Sequence, residues 1–382
     1  MRIGMFTDSY LPTRDGVVTS LTTSRRILEA MGHEVFLFAP DDPRGKAPKE
    51  NRTYYFPASE FSSYEGYRVA IYPATGLHDI IRESDLDVLH THGIAFMGFK
   101  SMFASRFFKI PILLTYHTMI TEAFHYMPWN LDEDLMRRPM WIYLRHFLAR
   151  ADGVAAPTNA ILEELKAKSK LKFSRVIPTG VDLERFNPRG AGRSSVRERL
   201  GMGDSPMVLH VGRVAKEKNL EAIIQGFPSV LKRQPNAKLV VAGDGPARGA
   251  CEMLVKSKGL GDNVIFAGFV PDDELPGYYS AADAFVIASK FETQGIVVME
   301  AMASGLPVAG INFRAIPEMI RDGENGYLFD ETPEGCAEAI CRALDSPSSV
   351  KAKAVETAGR FEQGACTELL VDTYEELIKR GV

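Results

Sequence analysis

The chain has 382 residues, 45% of them hydrophobic and 25% charged, the balance of a globular protein; at about 150 residues per domain it is long enough for two. A formal net charge of -4 gives no global field for polyanions, and no nucleic-acid motif is present, so nucleic acid is excluded as a partner. Cys251, Cys336, Cys341 and Cys366 lack the paired spacing of a disulfide framework or a zinc site and read as reduced thiols of a cytosolic protein, and no apolar run approaches the roughly 18 residues that span a bilayer.

The opening Met-Arg-Ile-Gly-Met-Phe-Thr-Asp has an apolar run too short for a signal peptide, and Arg2 to Thr7 reads as a first strand. A loop with Pro12 and Gly16 follows, then an amphipathic helix on which Val17, Leu21, Leu28 and Met31 recur at helical spacing until Gly32 stops it. Val35 to Ala39 is the next strand, and strand-helix-strand is the unit of a parallel doubly wound sheet. Further strands are predicted at Asp87 to His90, Ile112 to Thr115, Gly153 to Ala156 and Arg175 to Ile177, which gives a first Rossmann-like domain. Around Asn187-Pro-Arg-Gly-Ala-Gly-Arg-Ser-Ser the composition turns to glycine, proline and charge, as in an interdomain linker. The alternation restarts with Met207 to Val211, Lys238 to Ala242, Val264 to Ala267, Ala284 to Ala288 and Pro307 to Ala309, a second parallel sheet. The expected domains are residues 1–188 and 189–365, followed by a helix over Thr367 to Lys379 with Leu369, Leu370, Tyr374 and Leu377 at helical spacing. Ligands of open sheets bind beyond the carboxyl ends of the strands, so two such α/β domains facing one another would share one cleft.

The stretch Ser289-Lys-Phe-Glu-Thr-Gln-Gly-Ile-Val-Val-Met-Glu300-Ala-Met-Ala-Ser-Gly-Leu-Pro holds Glu292 and Glu300 eight positions apart around a small-residue loop that opens a helix. The unpaired N–H groups and positive dipole end of a helix start hold an anion such as phosphate, and carboxylates on either side bind hydroxyls. A diphosphate flanked by two polyols, which is what a nucleotide-sugar is, fits this pattern; a plain surface pair of Glu residues has the same spacing. After Val211, Gly212-Arg213-Val-Ala-Lys-Glu217-Lys218-Asn219 puts a cation on each side of a turn. Arg213 offers a planar fork and Lys218 a compact charge for phosphate oxygens, against the alternative of a solvated turn. Gly243-Asp244-Gly245-Pro246 follows the next strand, where glycine lets backbone approach a ligand and also serves a tight strand-to-helix turn. In the first domain Asp15-Gly16-Val17-Val18 opens a helix whose end Gly16 would open to phosphate. Thr91-His92-Gly93 and Thr115-Tyr116-His117-Thr118 each follow a strand, with a structural or a site role open to both histidines. No His/Cys/Asp constellation has zinc or calcium spacing.

The string from Ser289 to Pro307, with Gly212-Arg213 and Glu217-Lys218-Asn219, resembles the retaining glycosyltransferases of family 4, which have the GT-B fold of two Rossmann-like doubly wound domains facing one cleft. The resemblance implies a nucleotide-sugar donor. It makes His117, Arg213, Lys218 and Glu292 the catalytic set, with Glu292 on the transferred sugar and Glu300 on the ribose. The amides of Thr293, Gln294, Gly295 and Ile296 would line the sugar and phosphate pocket, Val270 in Gly268-Phe269-Val270-Pro271 would meet the nucleobase, and Gly16, Gly243 and Asp244 would complete the donor site. The family often carries two glycines where this chain has Asp15-Gly16. The resemblance also implies that a helix over about 366–382 crosses back to complete the first domain; no tightly bound cofactor is expected, and with Arg213 and Lys218 to neutralise phosphate the sequence allows Mg2+ but does not require it.

Within the family, Phe291-Glu-Thr-Gln-Gly-Ile, the N-terminal Met-Arg-Ile-Gly-Met-Phe-Thr-Asp-Ser-Tyr-Leu-Pro and Ile177-Pro-Thr-Gly-Val-Asp-Leu-Glu-Arg-Phe resemble the 1,2-diacylglycerol 3-glucosyltransferase group. The function this implies is transfer of glucose from UDP-glucose to a membrane lipid; GDP-mannose as donor, and another lipid or a sugar as acceptor, are the alternatives within the family. Outside it stand a sugar-nucleotide epimerase, a noncatalytic binding module and an NAD-dependent dehydrogenase, though Gly243-x-Gly245-x-x-x-Gly249 misses the dinucleotide spacing by one residue. A lipid acceptor requires a docking face. Phe99, Met102, Phe103, Arg106 and Phe107 form one helical stripe with Lys100 and Lys109 nearby, and the segment from Met136 to Arg150, with Arg137, Arg138, Trp141 and Arg145, repeats the combination. Met97 to Arg150 carries seven Lys/Arg against four Asp/Glu in an otherwise acidic chain. Aromatic stripes also occur on core helices, the alternative for the first segment, so the second is the preferred membrane face, with His92 assigned to the acceptor side. The expected location is the cytoplasm, peripheral on the inner face of the cell membrane; oligomeric state has no signature here.

Overall fold

The computed structural model describes residues 1–13, 15–60, 68–70, 75–117 and 133–381, without the side chains of 133–136; Thr118 and Met136 of the motifs above lie outside what is described. The chain forms two compact units, Met1–Gly180 with Gln363–Val382, and Val181–Glu362.

In the first unit the strands are β1 (Arg2–Phe6), β2 (Glu34–Pro40), β3 (Thr53–Phe56), a short antiparallel pair β4 (Ser59–Glu60) and β5 (Arg68–Val69), then β6 (Val88–Thr91), β7 (Ile112–Thr115), β8 (Gly153–Ala156) and β9 (Ser174–Val176). Apart from β4 and β5 they form one parallel sheet in the order β3-β2-β1-β6-β7-β8-β9. Ile3 of β1 stands beside Val35 on one side and Val88 on the other, and the central strands are buried along nearly their whole length, as strands covered on both faces are. The helix Gly16–Ala30 begins where the Asp15 carboxylate accepts the Val18 amide at 2.8 Å and ends before Gly32, whose φ of 87° takes the chain out of the helix. The last helix, Gln363–Arg380, belongs to this unit, and its Leu370, Tyr374 and Leu377 share one core with Ile3, Leu21 and Leu113.

In the second unit β10 (Met207–Val211), β11 (Lys238–Ala242), β12 (Val264–Gly268), β13 (Ala284–Ile287), β14 (Val308–Ile311) and β15 (Gly326–Phe329) form a parallel sheet in the order β12-β11-β10-β13-β14-β15. Helices Leu220–Arg233, Arg248–Ser257, Leu275–Ala281 and Ile296–Ala303 connect successive strands, the crossover a parallel pair requires. The strand order reverses between β1 and β6 in the first sheet and between β10 and β13 in the second. Each reversal leaves a crevice at the carboxyl ends of its two central strands.

Strands β3 and β15 were not legible in the sequence, being edge strands of four residues with no longer apolar run to mark them. The strand expected at Pro307 to Ala309 runs over Val308–Ile311, and the final helix begins at Gln363, ahead of Thr367.

Candidate active site

In the second unit, the loop after β10 is a 3-10 turn, Lys216–Lys218, closed by Asn219 in the left-handed conformation (φ 54°), which asparagine tolerates better than most residues. It is tied to the segment after β13: Asn219 Nδ2 donates to the Ala288 carbonyl at 3.3 Å and Ser289 Oγ to the Glu217 carbonyl at 3.4 Å. These ties bring Lys218 Nζ to 2.5 Å from Glu292 Oε1, both side chains largely sheltered. The sequence assigned the cation to phosphate and the carboxylate to sugar; in the structure the two are paired with each other. Arg213 is half-buried on the same loop.

Gly295, at φ 85°, starts the helix Ile296–Ala303, and Gln294 beside it is 3% exposed. Glu300 lies in the second turn, where Tyr279 Oη donates to its Oε2 at 2.7 Å. Burial pushes the Glu300 carboxyl up to about 7, against the opposing effect of the Tyr279 hydroxyl and the Arg185 charge. Tyr279 escaped the sequence reading because no local pattern ties position 279 to position 300.

Gly243 and Gly245 are required by the chain's own packing. A Cβ at 243 would sit 1.9 Å from the Gly212 carbonyl oxygen, and one at 245 would sit 2.5 Å from that of Val214. Asp244 between them is exposed and paired with Arg248 at 2.9 Å. Phe269 is exposed, and Val270 packs half-buried against the core of the unit.

In the first unit, Asp8 follows β1 and bridges the strand reversal by accepting the amides of Ala95 (2.9 Å) and Met97 (2.7 Å) at the start of the helix Phe96–Phe108. Gly93 must be glycine, since a Cβ there would lie 2.0 Å from the Asp8 carboxylate. Gly16 is exposed with open space around it. The end of its helix already holds the Asp15 carboxylate, to which Ser9 Oγ also donates at 3.0 Å. The departure from two glycines therefore has a local structural consequence: a carboxylate stands where a phosphate was expected.

His90, His92 and His117, on and after β6 and β7, form a contiguous series in which His92 and His117 stack and His90 is tilted against His92. The rings of His90 and His92 lie 3.9 Å apart and those of His92 and His117 5.1 Å apart, with His92 Nδ1 2.9 Å from His117 Nε2. His90 bridges Thr115 Oγ1 (2.7 Å) and Tyr374 Oη of the final helix (2.6 Å). Burial lowers His90 to about 3, His117 to about 4 and His92 well below the ordinary value, so all three rings are neutral near pH 7. They line a cavity of about 20 Å³, room for one water, with Ser20 and Thr179 opposite. The pairing of His92 with His117 makes the acceptor-side and catalytic-site histidines of the sequence reading one unit.

The aromatic stripe on Phe96–Phe108 is not core. Phe99, Phe103 and Phe107 are 47%, 70% and 58% exposed, whereas Met102 is buried. Phe99 also touches Tyr143 and Phe147, which brings the helix Glu133–Arg150 alongside with Arg137, Arg138, Ile142 and Arg145 exposed. Trp141 is half-buried, with Lys168 Nζ 5.8 Å from its ring centre. The exposed aromatics thus belong to the first segment and much of the exposed basic charge to the second. Among the described residues, no helix is long and apolar enough to cross a membrane.

Two doubly wound parallel sheets, one presenting a cation and a carboxylate at its strand reversal, have the architecture of the GT-B fold. Residues 14–185 match the family described as Glycosyltransferase Family 4, and residues 193–361 match Glycosyl transferases group 1. An alpha-monoglucosyldiacylglycerol synthase of Streptococcus pneumoniae is 35% identical over 86% of this chain and 75% of its own. The synthase of the same name from Acholeplasma laidlawii is 29% identical over 87% and 86%. Among solved structures, sucrose-phosphate synthase of Thermosynechococcus elongatus superposes with a TM-score of 0.80 over 100% of both chains at 22% identity, a likeness of fold. The chain belongs to glycosyltransferase family 4.

Proposed function

We propose that the protein transfers a hexose, glucose from UDP-glucose, to a hydroxyl of a membrane lipid such as diacylglycerol, with retention of anomeric configuration. The observation that carries the donor half is the Lys218–Glu292 pair. A nucleotide-sugar would exchange that mutual bond for two others, Lys218 turning to the diphosphate and Glu292 to hexose hydroxyls. Arg213 adds a second cation against the charge that develops on the leaving group, the kind of preorganised electrostatics that dominates many enzymatic rate enhancements. The bond from the anomeric carbon to the phosphate oxygen breaks, the bond to the acceptor oxygen forms on the same face, and the acceptor's proton passes to the departing phosphate. No tightly bound cofactor enters these steps.

The names of the two synthases support a lipid acceptor. So does the exposed face of Phe99, Phe103 and Phe107 beside Arg137, Arg138 and Arg145, an arrangement suited to peripheral docking on the anionic inner face of the cell membrane. Incubation with radiolabelled UDP-glucose and diacylglycerol vesicles tests the reading: label moves into lipid, with the α-anomer in the product, and chelation by EDTA leaves the rate unchanged. Label that stays in UDP-glucose or appears only as free sugar, while a GDP-mannose arm transfers, overturns the donor assignment; no transfer to lipid from either donor overturns the acceptor.

A further inference from the structure

His210 is the fourth residue of β10, two positions before the Gly212-Arg213 loop, and is 2% exposed. Its Nδ1 lies 3.1 Å from the Val286 carbonyl oxygen of the neighbouring strand β13. A carbonyl only accepts, so Nδ1 carries the proton and donates it. Burial holds the ring neutral, lowering it to about 4. The tautomer is therefore fixed: Nε2 is a bare lone pair, buried without a hydrogen-bond partner among the described residues. Buried acceptors of this kind are rare and destabilising unless something meets them.

The surroundings indicate what meets it. In the space a side chain at Gly212 would enter, His210 Nε2 at 3.9 Å is the sole atom within 4 Å among the described residues beyond the chain neighbours, so glycine leaves a gap next to the lone pair. Lys218 and Glu292 are the charged groups that act on the ring. A phosphate oxygen is ruled out as the missing partner, because two lone pairs would face each other. A group that brings a proton is required, and Glu292, the nearby carboxylate, also seeks hydroxyl protons.

We propose that His210 Nε2 accepts a hydrogen bond from a hydroxyl of the donor's hexose, making it a specificity-determining residue that distinguishes a nucleotide-sugar from the bare nucleotide. The inference rests on the donor reading above. It follows that the site is strained in the empty protein and relieved when the sugar arrives, and that the same ring is indifferent to the diphosphate.

The test compares affinity for UDP-glucose with affinity for UDP by calorimetry in wild type, His210→Phe and His210→Gln. In His210→Phe, UDP-glucose binding weakens about tenfold, the loss of one good hydrogen bond, while UDP binding is unchanged. His210→Gln, which keeps an acceptor at the same reach, recovers most of the difference. A second measurement needs no variant to fold: in histidine-labelled wild type, the 15N resonance of the bare Nε2 shifts on adding UDP-glucose and not on adding UDP. An unchanged ratio of the two affinities in His210→Phe, or a resonance that ignores the sugar, overturns the inference. A wild type that binds UDP without discriminating UDP-glucose overturns it as well, whereas binding of neither ligand strikes the donor reading itself.

Discussion

Glu300→Gln isolates the energetic consequence of burying a carboxylate at the proposed donor site. The carboxyl ordinarily titrates near 4.5 and is raised by burial to about 7 in the folded protein. Between these values the folded state holds a proton that the unfolded chain has lost, so stability falls as pH rises through the window, and the loss is complete above about 7. At about 1.36 kcal/mol per pH unit, the rise from 4.5 to about 7 amounts to about 3 kcal/mol. A glutamine of the same shape keeps an acceptor for Tyr279 Oη and removes the titration. For a unit of this size, the melting temperature of wild type should drop relative to Glu300→Gln by roughly 6–12 °C between pH 5 and pH 8, measured by thermal denaturation at both pH values. Nucleotide affinity should move the other way in wild type. Hydroxyls donated to Glu300 favour its ionised form, so UDP binding tightens as pH rises towards 7, and the Gln variant loses that dependence. Melting curves that shift in parallel for the two proteins across this range would refute the buried, raised carboxyl and the role built on it.

Arg213→Ala and Glu292→Ala should each lower turnover at least about tenfold while far-UV circular dichroism stays that of wild type; near-normal rates in both would remove them from the catalytic set. The pH–rate profile should show no histidine inflection between pH 5 and 8, because burial holds His117 near 4 and His90 near 3; a step near 6.5 that vanishes in His117→Gln would contradict this. Reversing the charge of Arg137, Arg138 and Arg145 together should abolish co-sedimentation with anionic vesicles, and Phe103→Ser with Phe107→Ser should weaken it on neutral vesicles too. Unaltered binding in both sets would leave this face without a role.

Much of the site was legible because its residues sit in loops that directly follow short apolar strands. Gly212 to Asn219 after β10 and Ser289 to Gly295 after β13 could be placed at strand ends from the apolar runs alone. The meaning of the glycines was less visible: Gly243 and Gly245 permit the backbone to pass carbonyls at 212 and 214, a constraint between segments some 30 residues apart. The aromatic stripe of Phe96–Phe108 misled in the opposite direction, because periodicity reports which residues share a helix face and not what covers that face.

Alternating strands and helices, their boundaries to within a few residues and the chemical types gathered after each strand followed from the sequence by itself, since apolar periodicity and turn residues act over a few positions. Strand order did not. It depends on which distant segments pair, and it alone brought Lys218 to Glu292 across 74 positions and Tyr279 to Glu300 across 21. Burial was likewise decided only in three dimensions, and with it the raised carboxyl of Glu300, the neutral rings of His90, His92 and His117, and the bare lone pair of His210, because desolvation is a property of the packed surroundings and not of the residue.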